Sequence, residues 1–173
     1  MGEPVQTFTI SALVEHKPGV LFKVSNLFRR RGFNIESISI GPAGTEESDL
    51  ARMTITMRGL ESDVEQLTKQ LMKLIDVIEV ERLHPETSVS RELALIKLKA
   101  ADARARSDVF NCVSAFRGRV IDVSSDSVIA EVVGSAGKID AFIKLASSLG
   151  LEEVSRTGVT ALPRGPKSLG SDG

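Results

Sequence analysis

The chain has 173 residues, of which 42% are apolar and 26% charged, and its 22 Lys and Arg nearly balance its 23 Asp and Glu. This composition is typical of a globular protein with one or two small domains, and it excludes a disordered chain or a strongly basic nucleic-acid-binding one. With no Trp or Tyr, two His and one Cys (Cys112), the chain cannot form an internal disulfide or a structural zinc site by itself.

The first predicted elements are a strand and a helix joined by a tight turn. Apolar and polar residues alternate over residues 8–14, which indicates a half-buried strand. Pro18 and Gly19 then predict a turn, and apolar residues recur at helical spacing over residues 20–28. The arginines at 29–31 and Gly32 are typical of a helix C-terminus, which explains this basic run without nucleic acid.

The rest of the first half is predicted to contain three further strands and a second helix. A strand is predicted over residues 33–40, with a bulge at Glu36 and Ser37 where the alternation slips. Further patterns predict a strand over residues 52–58, a helix over 61–73 and a strand over 77–83. The order strand, helix, strand, strand, helix, strand predicts an α+β, ferredoxin-like domain, with helices on one face of an antiparallel sheet.

The second half repeats this order, so we predict two tandem ferredoxin-like βαββαβ domains. Its predicted strands are residues 93–100, 119–124, 128–133 and 154–162, and its helices carry Val109, Val113 and Phe116, and then Ile139, Phe142, Ala146 and Leu149. The predicted boundaries are an N-terminal domain at 1–84, a linker at 85–90, a C-terminal domain at 91–163 and a disordered tail at 164–173.

The second predicted sheet is apolar on both faces. Leu93 and Leu95 alternate with Ala94, Ile96 and Leu98 along its first strand. Helices cover only one face of such a sheet, so the other needs a cover too. Either the linker or the first domain covers it, or another subunit does.

A candidate ligand site lies at the first turn. Free N–H groups at Gly19, Val20 and Leu21, at the start of the first helix, suit a carboxylate, and glycine permits close approach to the backbone. Asn34, at the start of the adjoining strand, can bind an amino or carboxylate group. The alternative is that Pro18 and Gly19 merely turn the chain, while Asn34 bonds to a neighbouring backbone group.

Several stretches of sequence resemble the ACT-domain family of acetolactate synthase (acetohydroxyacid synthase) small regulatory subunits. In the first half these are residues 13–21, the run Arg-Gly-Phe-Asn-Ile-Glu-Ser at 31–37, and Arg-Met-Thr-Ile at 52–55. In the second half they are residues 90–97, 116–123 and 162–165. The resemblance extends over nearly all of residues 7–166.

The resemblance implies a regulatory subunit that catalyses nothing itself. Such subunits bind and activate a large catalytic subunit, which carries thiamine diphosphate, Mg²⁺ and FAD, and confer feedback inhibition by valine or another branched-chain amino acid. No cofactor or metal is expected on this chain. The resemblance also implies a homodimer through the ACT domains, with the effector between two chains. The implied effector-binding residues are His16, Pro18, Gly19, Val20 and Leu21 of one chain and Asn34 and Ile35 of the other, with Ser39 and Gly41 nearby.

Other functions of this fold fit the sequence less well. RNA-recognition domains stack bases on aromatic side chains, whereas Thr9, Ser11, Thr54 and Thr56 occupy the corresponding outward positions. An amino-acid-responsive transcription regulator needs a helix-turn-helix segment, and an acylphosphatase needs an arginine in its first turn, where this chain has Lys17. An amino-acid-sensing ACT protein that acts on a different enzyme or regulator is the remaining alternative. Without a long apolar run or an apolar leader, a cytoplasmic location is expected, away from membranes.

Overall fold

The computed structural model describes residues 4–44, 49–166 and 169–170. The chain divides into two compact units, Met1–Val89 together with Val159–Gly173, and Ser90–Gly158. Each unit contains a βαββαβ motif, as the sequence predicts. In the first unit the elements are β1 (Gln6–Glu15), α1 (Val20–Arg31), β2 (Ile35–Pro42), β3 (Leu50–Gly59), α2 (Glu61–Leu71) and β4 (Val77–Leu83).

The first sheet is antiparallel, with strand order β2-β3-β1-β4, so β2 and β4 are its edges. Alternate residues of the two central strands point to the helices, which gives them the period of two seen in the sequence. This inner face is fully buried at Ile10 and Val14 of β1 and at Met53, Ile55 and Met57 of β3. The core is closed by Val20, Val24 and Phe28 of α1 and by Val64, Leu67 and Leu71 of α2.

The bulge predicted in the second strand is confirmed. Ile35 pairs with Met57, but Ser37 pairs with Thr56, so Glu36 is an extra residue in β2. The bulge moves the serines of β2 to the outer face of the sheet, which we define as the face opposite the helices. There Ser37 Oγ lies 2.6 Å from Thr56 Oγ1.

The second unit repeats the plan with strand order β6-β7-β5-β8. Its elements are β5 (Ser88–Lys99), α3 (Ala103–Ala115), β6 (Arg119–Val123), β7 (Ser127–Gly134), α4 (Ala136–Ala146), a 3₁₀ turn at Ser147–Leu149 and β8 (Leu151–Arg156). Its inner face is buried, for example at Ile96 and Val132, whereas Leu95 and Val133 on the other face are 38% and 43% exposed.

The structure differs from the sequence-based boundaries at both ends of the second half. Strand β5 starts at Ser88, so part of the expected linker at 85–90 is strand. The single strand expected over 154–162 is wrong, because Gly158 has a φ of 76° and separates β8 from β9 (Thr160–Pro163). Strand β9 is grouped with the first unit rather than with a domain at 91–163.

The segment expected to be a disordered tail, 164–173, begins with ordered contacts. Arg164 N–H donates to Thr87 O at 2.8 Å, and its Nε donates to Ser88 O at 3.1 Å. Leu169 is buried, and Gly170 N–H donates to Glu79 Oε2 at 2.7 Å. Residues 167–168 and 171–173 of this segment lie outside the described residues.

Candidate effector site

The predicted turn joins β1 to α1 and bends at a glycine. Gly19 has φ 90° and ψ −13°, a left-handed conformation in which a Cβ is unfavourable. The turn is fixed to the sheet by His16 N–H, which donates to Asp49 O at 2.7 Å. His16, Pro18 and Gly19 are exposed, so the turn presents its backbone to solvent.

The first turn of α1 carries unsatisfied backbone donors. Gly19 offers no capping side chain, and within the described part of the chain the N–H groups of Leu21 and Phe22 have no acceptor. By contrast, Asp102 caps α3 by accepting from Ala105 N–H at 2.8 Å, and Ser135 caps α4. The start of α1 therefore has positive dipole charge and free donors available to an external anion.

A buried aspartate holds this turn in place. Asp76, which is 1% exposed, lies just before β4, and its carboxylate is 2.8 Å from Lys17 Nζ and 2.5 Å from Lys23 Nζ. Its carbonyl also accepts from Glu15 N–H at 2.9 Å. The ammonium groups of Lys17 and Lys23 hold the pKa of Asp76 below its usual range. In turn, the carboxylates of Asp76 and Glu15 hold the pKa of Lys17 above the usual range of a lysine.

The other candidate residues occupy different places in the unit. Asn34 is exposed and Ile35 is half-buried at the start of β2, beyond the C-terminus of α1. Because α1 has 12 residues, its length of ~18 Å separates these residues from the turn. One chain thus does not bring Asn34 and Gly19 together.

The C-terminal end of β2 lies at the same end of the sheet as the turn. Gly41 pairs with Arg52, which also pairs with Leu13 near the end of β1. Ser39 is half-buried on the outer face, where its Oγ donates to Val159 O at 3.0 Å. Strand β2 therefore runs along the sheet edge from the Asn34 end to the turn end.

The expectation for Val20 needs correction. Its side chain is 2% exposed and packs in the core of the first unit, so it offers no apolar surface to a ligand. Leu21, one position further along α1, is 44% exposed. The burial of Val20 follows from helix geometry, because Val20 lies on the same face of α1 as the buried Val24, four residues later.

Comparison with known proteins identifies the family. Residues 10–79 match the family model of the AHAS small subunit-like ACT domain, and residues 91–165 match that of the small subunit of acetolactate synthase. The probable acetolactate synthase small subunit of Methanothermobacter thermautotrophicus is 50% identical over 94% of this chain and 96% of its own length. The chain belongs to the acetolactate synthase small subunit family.

Further relatives support this assignment over the whole chain. The acetolactate synthase small subunit of Mycolicibacterium smegmatis is 45% identical over 99% of both chains. The crystal structure of the small subunit from Thermotoga maritima is 41% identical and superposes with a TM-score of 0.84, covering 94% of this chain and 99% of that one. Both units of this chain are therefore shared with the family, and the family is that of a regulatory subunit.

The described ranges contain neither a metal-type cluster nor a membrane-spanning helix. No group of three or more His, Cys, Asp or Glu side chains there is arranged to hold a metal ion. No helix of that part of the chain is long and apolar enough to cross a membrane.

Sequence reasoning missed the lysine–aspartate cluster of this small subunit, since Asp76 is remote from Lys17 in the chain.

Replacing Asp76 by Asn should lower the free energy of unfolding at neutral pH, because two ammonium groups lose their carboxylate. Since the pKa of Asp76 is lower in the folded than in the unfolded chain, its contribution is full above about pH 5 and is lost as pH falls through the folded value. The stability difference between wild type and Asp76→Asn should therefore shrink below about pH 4.

Urea unfolding at a series of pH values measures this difference. Asp108→Asn, a change of the same chemistry at an exposed position on α3, is the control and should alter stability little at any pH. A constant difference between wild type and Asp76→Asn from pH 7 to pH 3 would contradict the proposed role of the ion pairs.

Proposed function

We propose that this chain activates the catalytic subunit of acetolactate synthase and makes it sensitive to inhibition by valine or another branched-chain amino acid. The main support is the uncapped N-terminus of α1 behind the exposed Gly19 turn, in a family named as a subunit of this enzyme. An amino acid at this site is an effector and not a substrate. Catalysis, with thiamine diphosphate, Mg²⁺ and FAD, is proposed to take place on the large subunit.

The effector's carboxylate is proposed to bind the free N–H groups of Leu21 and Phe22. These donors are fixed in direction by the helix, and the dipole of α1 adds to the attraction. Among the described residues, no atom beyond the chain neighbours of Gly19 lies within 4 Å of the place where a Cβ would stand, which leaves this side of the backbone open to a ligand. The partly exposed side chains of Leu21 and Ile35 offer contacts to an aliphatic group.

Asn34 is proposed to bind the effector's amino group, which requires a second chain. Strand β2 is an edge of its sheet, and an edge strand has backbone groups free to pair with another chain. If two β2 edges pair antiparallel, the Asn34 end of one strand lies opposite the Gly41 end of the other, which is also the end with the turn. This homodimer would form two equivalent sites, each from the turn of one chain and Asn34 of its partner.

Regulation then follows from linkage between effector and dimer. An effector that bridges two chains stabilises one arrangement of the paired domains, and the catalytic subunit senses which arrangement is present. A coupling free energy of ~1 to 3 kcal/mol would change activity or affinity by roughly 5- to 150-fold.

The direct experiment is to mix the purified chain with its cognate acetolactate synthase catalytic subunit and to assay acetolactate formation with and without valine. We expect stimulation by the chain of at least about 5-fold, within the range of ordinary allosteric coupling, and inhibition by valine only when the chain is present. Leucine and isoleucine, tested in parallel, measure effector preference. Absence of both stimulation and any amino-acid effect would contradict the proposal and favour an ACT protein that acts on another enzyme.

A further inference from the structure

The outer face of the first sheet contains a groove that includes neither the Gly19 turn nor Asn34, although two of the expected effector residues, Ser39 and Gly41, line it. It has a volume of about 490 Å³ and lies between the C-terminal half of β2, the start of β3 and strand β9. Its polar lining is Ser39, Arg52, Thr54 and Thr160, and its apolar lining includes Leu162 and Pro42. The groove is on the face opposite α1, so it is separate from the N-terminus of that helix.

Arg52 in this groove has no carboxylate partner among the described residues. Within the part of the chain that the structure describes, its guanidinium makes one hydrogen bond, from Nη1 to Ser11 Oγ at 3.1 Å. The half-buried Arg82 pairs with Glu61, and the half-buried Arg106 donates to three backbone carbonyls. Because a guanidinium stays charged and presents five donors in a planar fork, Arg52 retains donors that fit a carboxylate.

The remaining lining restricts the class of ligand. Thr54 lines the groove, and within the described ranges its hydroxyl has no hydrogen-bond partner, so it can donate a hydrogen bond to a ligand oxygen. Leu162 is 54% exposed and offers an apolar wall. The lining residues include no Asp or Glu, so nothing in the described groove compensates the ammonium group of an amino acid.

We propose that this groove binds a short aliphatic 2-oxo acid, with its carboxylate on Arg52, its oxo oxygen near Thr54 and its alkyl end against Leu162. The oxo group accepts a hydrogen bond that the Thr54 hydroxyl can donate, and the absence of an ammonium group distinguishes the ligand from valine. The small subunit would then respond to a 2-oxo acid at a place distinct from the amino-acid effector site.

The test titrates pyruvate, the shortest 2-oxo acid of this class, into the full chain and follows binding by calorimetry and by NMR shifts of β2 and β3 amides. We expect saturable binding with a dissociation constant on the order of 1 mM, weakened at least about tenfold in Arg52→Gln. Arg52→Lys, which keeps the charge but not the fork, should weaken it less. Arg58→Gln is the matched control, because Arg58 lies on the same strand and is 63% exposed, and it should bind pyruvate as wild type does.

Separate titrations with inorganic phosphate and with valine test the ligand class. Phosphate that binds as tightly as pyruvate would show a general anion site and overturn the proposal. So would valine that competes for the same shifts, or pyruvate binding that is unchanged in Arg52→Gln. Circular dichroism of each variant confirms that it is folded. The experiment needs no catalytic subunit, so a failure to bind pyruvate would not contradict the proposed valine regulation. Likewise, if valine regulation failed, the pyruvate titration could still be interpreted.

Discussion

The substitution Gly19→Asp should raise the valine concentration for half-inhibition of the holoenzyme at least about tenfold, while stimulation of the catalytic subunit is retained. A carboxylate added at the start of α1 is attracted by the helix dipole and competes for the N–H groups of the first turn. Here those are the donors at Leu21 and Phe22 proposed for the effector's carboxylate. The added side chain would therefore compete with the effector's carboxylate for these donors, and its negative charge would also repel that carboxylate. Assays of acetolactate formation against valine concentration measure both quantities.

Gly165→Asp is the matched control for this change. Gly165 has a φ of 77°, close to the 90° of Gly19, and at both positions none of the described residues beyond the chain neighbours places an atom within 4 Å of an added Cβ. Both variants therefore carry a similar backbone strain and the same added charge, but only one is at the start of α1. Equal loss of valine sensitivity in the two variants would attribute the effect to strain or charge and not to the helix terminus.

Mixing variants tests whether each site needs two chains. Asn34→Ala alone should also abolish valine sensitivity. In a mixed dimer of Gly19→Asp and Asn34→Ala chains, one site has both changes, whereas the other combines an intact turn with an intact Asn34. Coexpression should therefore restore part of the valine inhibition that each variant lacks. Failure to restore it, in mixed dimers verified by mass, would contradict a site shared between chains.

The success of sequence reasoning for the fold has a physical origin in the first sheet. Its central strands bury one face, so their alternation is regular, and α1 and α2 bury a narrow apolar stripe. Each of these patterns is local, because it depends on which face of one element is buried. The turn at Gly19 was predictable for the same reason, since its conformation is set by the residues within it.

Contacts between residues remote in sequence could not be predicted in this way. The final apolar stretch looks like one strand, but Val159 instead bonds to the outer face of the first sheet through Ser37 and Ser39. Gly170 reaches the same unit, where an added Cβ would lie 2.7 Å from Leu13 Cδ2. Outward hydroxyls on a strand do not reveal which distant segment they bind, so the assignment of β9 required the structure.

The ion pair of Glu92 with Arg156 is another such contact, 64 residues apart, and its loss should destabilise the second unit. Glu92 is 4% exposed, and its two oxygens accept from Arg156 Nε at 2.7 Å and Nη2 at 2.8 Å. Arg156 also contacts Asp140, and the acidic partners, Glu92 first, hold its pKa above its usual range. The forked geometry uses both carboxylate oxygens, which makes the pair stronger than a single contact.

Arg156→Gln should destabilise the second unit by about 3 kcal/mol, because it leaves a buried carboxylate without its partner. Hydrogen exchange of the β5 and β7 amides in the full chain measures this loss for the second unit alone. Arg119→Gln is the control. Arg119 pairs with Glu131 in the same sheet, but its side chain is 76% exposed, so its loss should cost less than about 1 kcal/mol.

The double variant Glu92→Leu with Arg156→Leu separates the attraction within the pair from the cost of an unpaired buried charge. Replacing both partners removes the buried charge as well as the pair, so much of the stability lost in Arg156→Gln should return. If the double variant were as unstable as the single one, the loss would come from packing of the arginine stem and not from the orphaned carboxylate. Glu92 lies in one of the stretches that resemble the family, so recovery of stability would assign that residue a structural role in the second unit, apart from the effector site.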